Sequence, residues 1–342
     1  MSIFTALITL LFLPAQFYFA GLFLKPATQE ATPMEKVEGA SDIKEPGDAE
    51  SSFRQAIVDS GRSNAGSENP EAVPQKKYTY QAADVLAGSS VVIDTESGTI
   101  LHYDKGRYHL PIASLTKIMT AILVMEKVKD LDEPITIDSE ALAVVPVRVG
   151  CPSSDSSLCV APLRIGEEMT MRNLMTAMLI DSANDAAIAI GKHIAGSQEA
   201  FAALMNEKTK ELNLIDTHFC NPSGLDAAGC YSSAYDLARI AAYSTKYDML
   251  WEIMNTSEAT VRSIDGKYEH QLKNTDMLLG QVPNCLGGKT GFTYNAGKSL
   301  MLSAADPETG KHKIIAVILN DDNRWNDMRN LLDWTFANYE WK

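Results

Sequence analysis

Pro111-Ile112-Ala113-Ser114-Leu115-Thr116-Lys117 runs directly into an apolar stretch, residues 118–128, and the rest of the chain is read outward from it. Pro111 stands where a helix can begin without losing a needed donor, and Met119, Ile122, Leu123 and Met125 recur at helical spacing. The stretch predicts a buried helix opened by Ser114, with Lys117 one turn behind it. Side chains three apart on a helix share a face, about 5 to 6 Å apart between Cβ atoms, close enough for an amine to take a hydroxyl proton. Ser114 and Lys117 are therefore candidates for a nucleophile and its base. The spacing alone is a weak signal, because a capping serine beside a solvated lysine gives the same letters. Ser41-Asp42-Ile43-Lys44 repeats it by chance in a polar segment without apolar periodicity.

Upstream, residues 89–94 are rich in β-branched residues, Glu96-Ser97-Gly98 supplies turn chemistry, and residues 99–103 resume an extended pattern, which predicts a hairpin. Downstream, a mixed region over 134–166 is followed by helical patterns at 172–180, 185–195, 198–212 and 233–243. Strand-like runs return at 298–304 and 313–320, and 325–339 is amphipathic, with Met328, Leu331, Leu332, Trp334 and Phe336 on one stripe. Strands at both ends bracket a helical middle. This predicts an α+β fold: one antiparallel sheet formed by both ends of the domain and packed with helices.

The 342 residues are 45% hydrophobic, enough for a substantial core, and the net charge of −14 argues against a nucleic-acid binder, which needs clustered Lys and Arg. Residues 3–24 are uncharged and of membrane length, ending at Lys25. No basic residue precedes them, and Tyr18-Phe19-Ala20 is a poor cleavage site, so a retained anchor is favoured over a cleaved signal peptide. Residues 1–25 are thus an anchor or signal segment. Residues 26–77 are Glu-, Ala-, Ser-, Gly- and Pro-rich and predict a flexible linker, leaving 78–342 as the folded domain. Four of the five cysteines fall in near pairs, Cys151 with Cys159 and Cys220 with Cys230, which an oxidising compartment would let close as disulfides. A zinc site would need three or four converging ligands, and only His218 beside Cys220 approaches that. Cys285 reads as a small buried hydrophobe.

Two further segments carry chemistry. Ser182-Ala183-Asn184 lies at a loop-to-helix junction, where a hydroxyl and an amide can be held rigidly, although a helix cap would look the same. Gly287-Gly288-Lys289-Thr290-Gly291-Phe292-Thr293 precedes a strand pattern. It is not a phosphate loop, because Pro283 stands where that motif needs glycine. Lysine and threonine on an edge strand suit an anionic substrate, and the glycines let a substrate backbone approach.

Ser-x-x-Lys, Ser-x-Asn and Lys-Thr-Gly in this order resemble the penicillin-recognising serine enzymes, the transpeptidase and β-lactamase-like fold. The wording around Ser114, the segment Asn221-Pro222-Ser223-Gly224-Leu225-Asp226 with Tyr231-Ser232-Ser233, and Lys289-Thr290-Gly291-Phe292-Thr293 followed by Ala296-Gly297 resemble the D-alanyl-D-alanine carboxypeptidases. These are the low-molecular-mass penicillin-binding proteins, and the resemblance spans residues 88–341. It implies that Ser114 attacks the bond between the last two D-alanines of a peptidoglycan stem peptide. Lys117 would take its proton and Lys289 would supply a neighbouring cation. Ser182 and Asn184 would relay a proton and hold the substrate amide. The N–H of Ser114 and one from the strand after Lys289 would form an oxyanion hole.

Thr290, Gly291, Thr293 and Arg324 would meet the terminal carboxylate, while Asp226 would order its loop. No cofactor or metal is implied, and β-lactams would act as covalent inhibitors. Departures from the family pattern bear on substrate choice: Ala183 in place of a glycine, Tyr294 and Asn295 at an often acidic position, and a Cys151 to Cys159 insertion. The family's β-rich extension and amphipathic helix have no counterpart before Lys342, so the N-terminal segment is expected to anchor the enzyme on the outer side of the membrane. Alternatives from the same residues are a D,D-endopeptidase and a non-catalytic, membrane-tethered binder of cell-wall peptide. A β-lactamase fits poorly, because Thr209 stands where its deacylating glutamate would precede Glu211-Leu212-Asn213.

Overall fold

Lys313–Leu319 reads KIIAVIL, apolar at every position after the first, and a strand of that kind must be covered on both faces. In the computed structural model, which describes residues 73–77, 82–144, 146–151 and 159–341, it is the central strand of the main sheet. In chain order the strands are β1 (Pro74–Lys76), β2 (Ser89–Asp94), β3 (Ile100–Asp104), β4 (Pro134–Thr136), β5 (Glu168–Thr170), β6 (Glu258–Arg262), β7 (Glu269–Lys273), β8 (Cys285–Thr293), β9 (Gly297–Ala305), β10 (Lys313–Leu319) and β11 (Tyr339–Trp341). The helices are α1 (Lys117–Lys127), α2 (Ser139–Leu142), α3 (Met171–Ile180), α4 (Asn184–Ala195), α5 (Gln198–Glu211), α6 (Ala234–Ser244), α7 (Asp248–Met254) and α8 (Arg324–Asn338).

The main sheet runs β3-β2-β10-β9-β8, with every pair antiparallel, so both ends of the domain build it as expected. Side chains alternate with period two along these strands. Ile315, Val317 and Leu319 join Val91, Ile93 and Met301 in the core shared with the helical middle. Ile314, Ala316 and Ile318 join Val92, Leu300 and Leu302 beneath Met328, Leu331 and Leu332 of α8. Each such aliphatic side chain contributes about 1.5 to 3 kcal/mol when fully buried. The sheet is therefore packed on both faces, and β8 is one of its edge strands.

The helical middle is built around α1, in which every residue from Lys117 to Val124 is buried. A helix apolar on all sides belongs at the centre of a bundle, and α1 contacts α3, α4, α5 and α6. Three of the surrounding helices begin on side-chain caps: Thr170, Ser197 and Ser233 accept the N–H of Asn173, Ala200 and Asp236. The predicted start at Ser114 is refined. Ala113–Thr116 form a 3-10 turn and the α-helix proper begins at Lys117. The glycine-rich motif does not precede a strand but lies inside one, β8, because its cross-strand register with β9 continues from Gly287 to Thr293.

The β6/β7 hairpin and α7 are additions that the apolar pattern did not reveal. At the other end β1 pairs with β11, Pro74 opposite Trp341, so regular structure reaches into the predicted linker before residue 78. The predicted anchor at 3–24 and linker residues 26–72 lie outside the described residues. Among the described residues no helix is long and apolar enough to cross a membrane. Both cysteine pairs, Cys151–Cys159 and Cys220–Cys230, are disulfide-bonded, and Cys285 is a partly buried free thiol.

Candidate active site

Ser114 sits in the 3-10 turn, and Lys117 follows as the first residue of α1, fully buried. The Lys117 Nζ lies 2.8 Å from Ser114 Oγ, 2.7 Å from Asn184 Oδ1 and 2.6 Å from the Ser223 carbonyl oxygen. Burial drives its pKa well below the ordinary lysine value, the charge of Lys289 pushes the same way, and Asp185 opposes them. The partners then sort themselves. Two are carbonyl oxygens, which only accept, so they take the two N–H groups of a neutral amine. In that neutral form the nitrogen lone pair would face Ser114 Oγ, the one partner that carries a proton.

Lys289, on β8, is also fully buried, and its Nζ donates to Ser182 Oγ at 2.8 Å and to the Thr290 carbonyl at 3.2 Å. Burial and the Arg324 charge lower its pKa to about 7, against Asp276 and Asp181. Ser182 reaches it from a left-handed backbone, φ 63°, which is uncommon outside glycine. The three sequence segments thus meet at one site: Ser114 and Lys117 from α1 and its leading turn, Ser182 and Asn184 from the α3–α4 junction, and Lys289 from the edge strand.

Backbone contacts fix this meeting. The Asn221 Oδ1 accepts the N–H groups of Ser223 and Gly224 and the Ser223 hydroxyl, folding a tight turn that delivers the Ser223 carbonyl to Lys117. A Cβ on Gly224, at φ +82°, would stand 1.9 Å from the Ala113 carbonyl oxygen. A Cβ on Gly291 would stand 2.8 Å from the Ile112 oxygen, so β8 also presses on the Ser114 turn. Two buried carboxylates flank the Ser182–Asn184 turn. Asp181 accepts from the Lys273 and Gly150 N–H groups, and Asp185 from those of Val149 and Ala186. Burial raises the Asp185 pKa to about 6.

The other expected residues are placed differently from one another. Thr293 lies at the end of β8, where its hydroxyl donates to Asp226 Oδ1 at 2.8 Å. The Thr290 hydroxyl is buried and paired with that of Thr275 at 2.6 Å. Arg324 starts α8, and its Nη1 donates to the carbonyls of Gly291 at 3.0 Å and Ser299 at 3.2 Å, which are cross-strand partners. It braces β8 and adds positive charge beside Lys289. The Ser223 carbonyl, Asp181 and Asp185 were not singled out from sequence, although the Asn-Pro-Ser-Gly turn signal was there for the first. Among the described residues no group of three or more His, Cys, Asp or Glu side chains is arranged to hold a metal.

Known proteins resemble this chain in sequence and fold. A family model described as D-alanyl-D-alanine carboxypeptidase, peptidase family S11, matches residues 76–323. The chain belongs to this family. The D-alanyl-D-alanine carboxypeptidase DacF of Bacillus subtilis (strain 168) is 35% identical over 262 residues, covering 74% of this chain and 63% of the relative. DacD of Escherichia coli (strain K12) is 34% identical over 271 residues, covering 77% and 66%. The chain thus spans a little under two thirds of the length of these curated S11 relatives. A solved D-alanyl-D-alanine carboxypeptidase from Mycobacterium tuberculosis H37Rv superposes with a TM-score of 0.67 at 28% identity, covering 77% of this chain and 96% of that one. The S11 fold, an α+β domain with its sheet built from both termini, is the one described above.

Proposed function

We propose that the chain is a serine-type D-alanyl-D-alanine carboxypeptidase that removes the terminal D-alanine from peptidoglycan stem peptides. The observation that carries this reading is the Lys117 nitrogen, buried, depressed in pKa and 2.8 Å from Ser114 Oγ. As Ser114 Oγ attacks the carbonyl of the penultimate D-alanine, its proton passes to the Lys117 amine. General-base assistance of this kind is worth about 10²- to 10⁴-fold. The Ser114 N–H and one from β8 hold the oxyanion. Collapse of the tetrahedral adduct breaks the peptide bond, and the departing D-alanine nitrogen takes, through Ser182 next to Lys289, the proton that Lys117 removed from Ser114, which leaves Lys117 neutral again. Water then attacks the Ser114 ester with Lys117 again as base, releasing the shortened stem and returning the proton to Ser114 Oγ.

Asn184 holds the substrate amide, and Lys289, Thr290, Gly291, Thr293 and Arg324 set the field and shape of the carboxylate end. A β-lactam would acylate Ser114 in the same way. The enzyme works on the outer side of the cytoplasmic membrane, tethered by residues 3–24, with residues 26–77 as linker and 78–342 as the catalytic domain. Mass spectrometry of stem peptides after incubation tests this. Loss of one alanine from a pentapeptide monomer is expected. Cleavage of cross-linked dimers alone would make it an endopeptidase, and unchanged peptides would make it a binder.

A further inference from the structure

Thr293 is expected to meet the substrate's carboxylate, yet its hydroxyl proton already has a partner. Its Oγ1 lies 3.0 Å from the Ala296 nitrogen, whose N–H can only donate, and 2.8 Å from Asp226 Oδ1, which when ionised can only accept. The single hydroxyl proton therefore points to Asp226. Only a lone pair is left for the cleft, and a lone pair repels a carboxylate.

Asp226 is exposed, but the segment around it is fixed. It lies inside the ring closed by Cys220–Cys230. Three and two residues before it, Ser223 accepts from Lys117 at 2.6 Å through its carbonyl and Gly224 packs on the Ala113 carbonyl. The turn that supplies an acceptor to the base thus also presents a carboxylate to Thr293.

We infer that Asp226 is a specificity-determining residue that competes with the terminal carboxylate of the substrate for the Thr293 hydroxyl. It weakens capture of peptides ending in a free acid relative to peptides ending in a neutral group. The inference rests on the carboxypeptidase reading for its natural substrate, although not for its chemistry. A bound carboxylate must turn the Thr293 proton away from Asp226 and accept the nearby negative charge.

The full-length protein tests this with two matched pairs of ligands. One is diacetyl-L-Lys-D-Ala-D-Ala as free acid and as C-terminal amide, read as KM. The other is benzylpenicillin and its methyl ester, read as the acylation rate constant at Ser114. In Asp226→Ala the preference for acid over neutral partner should rise about tenfold in both pairs, a change of about 1.4 kcal/mol. Asp226→Asn, which keeps an acceptor and loses the charge, should rise less, and it stands in if the alanine variant folds poorly. With Thr293→Val as background, the effect of Asp226→Ala should shrink, as coupled residues require. An unchanged ratio in both pairs, or an equal effect with and without the Thr293 hydroxyl, overturns the inference. Absence of D-alanine release with a normal shift in the penicillin pair would defeat the carboxypeptidase reading and leave the competition standing.

Discussion

The two walls of the cleft are built on different physical terms. On the helical wall Lys117, Ser182, Asn184 and Ser223 are all buried, and Lys117 has a partner for each of its hydrogen-bonding positions. On the strand wall only Lys289 and its immediate neighbours are buried. Phe292 and Tyr294 are 54% and 98% exposed, their rings 5.8 Å apart in an edge contact, and Thr293 leans on an exposed Asp226. Bond-making groups need fixed positions and a low dielectric, whereas recognition at the mouth tolerates solvent and change. On the proposed carboxypeptidase reading, the helical wall sets the reaction and the strand wall sets what is admitted.

Breaking the helical wall should cost most. Ser114→Ala should abolish covalent labelling by fluorescent penicillin, and Lys117→Met should slow acylation by at least about 10³-fold, read by stopped flow or intact-protein mass spectrometry. Labelling that survives Ser114→Ala would remove the nucleophile from this wall. Next comes the turn beneath it. Gly224→Ala puts a Cβ 1.9 Å from the Ala113 oxygen at φ +82°, so the Ser223 carbonyl must retreat from Lys117. A loss of about 10²-fold in acylation and about 2 kcal/mol in stability is expected, measured by the same assay and by urea denaturation.

A smaller effect joins the two walls through pH. Lys117 must be neutral to act, so kcat/KM rises with pH as it loses its proton. Lys289, whose pKa is about 7, must be charged to help hold Lys117 neutral, so kcat/KM falls again as pH climbs past that value. One lost proton gives at most about tenfold per pH unit on the descending limb. Lys289→Arg, which stays charged, should push that limb to higher pH. A descending limb that does not move would separate Lys289 from the pH dependence. The strand mouth should matter least: Tyr294→Ala is expected to shift KM about threefold with kcat little changed, measured on a set of stem peptides. A large fall in kcat would mean that the mouth takes part in chemistry after all.

What could be read in the sequence divides along similar lines. Residues 89–94 and 313–320 were legible as strands through their β-branched, apolar content, while their burial on both faces emerges only from the packed sheet. Ser114, Lys117, Ser182, Asn184 and Lys289 could be picked out because their order along the chain made three weak patterns specific together. The β6/β7 hairpin leaves little apolar signal although Asp265-Gly266 marks its turn, since its strands bury only Val261, His270 and Leu272. The Ser223 acceptor is a backbone atom and leaves no side-chain signature. Arg324 was legible as a cation near the site. That its Nη1 would brace the Gly291 and Ser299 carbonyls depends on cross-strand register, which no local pattern encodes.

Heteronuclear NMR titration of the Lys117 side-chain nitrogen in the full-length protein reports directly on the charge of the base. It should lose its proton well below the pH at which an ordinary lysine does, with Asn184 and Ser223 still accepting from it. A Lys117 that stays charged up to about pH 10, the range of an ordinary lysine, would mean that the buried amine cannot take the proton of Ser114.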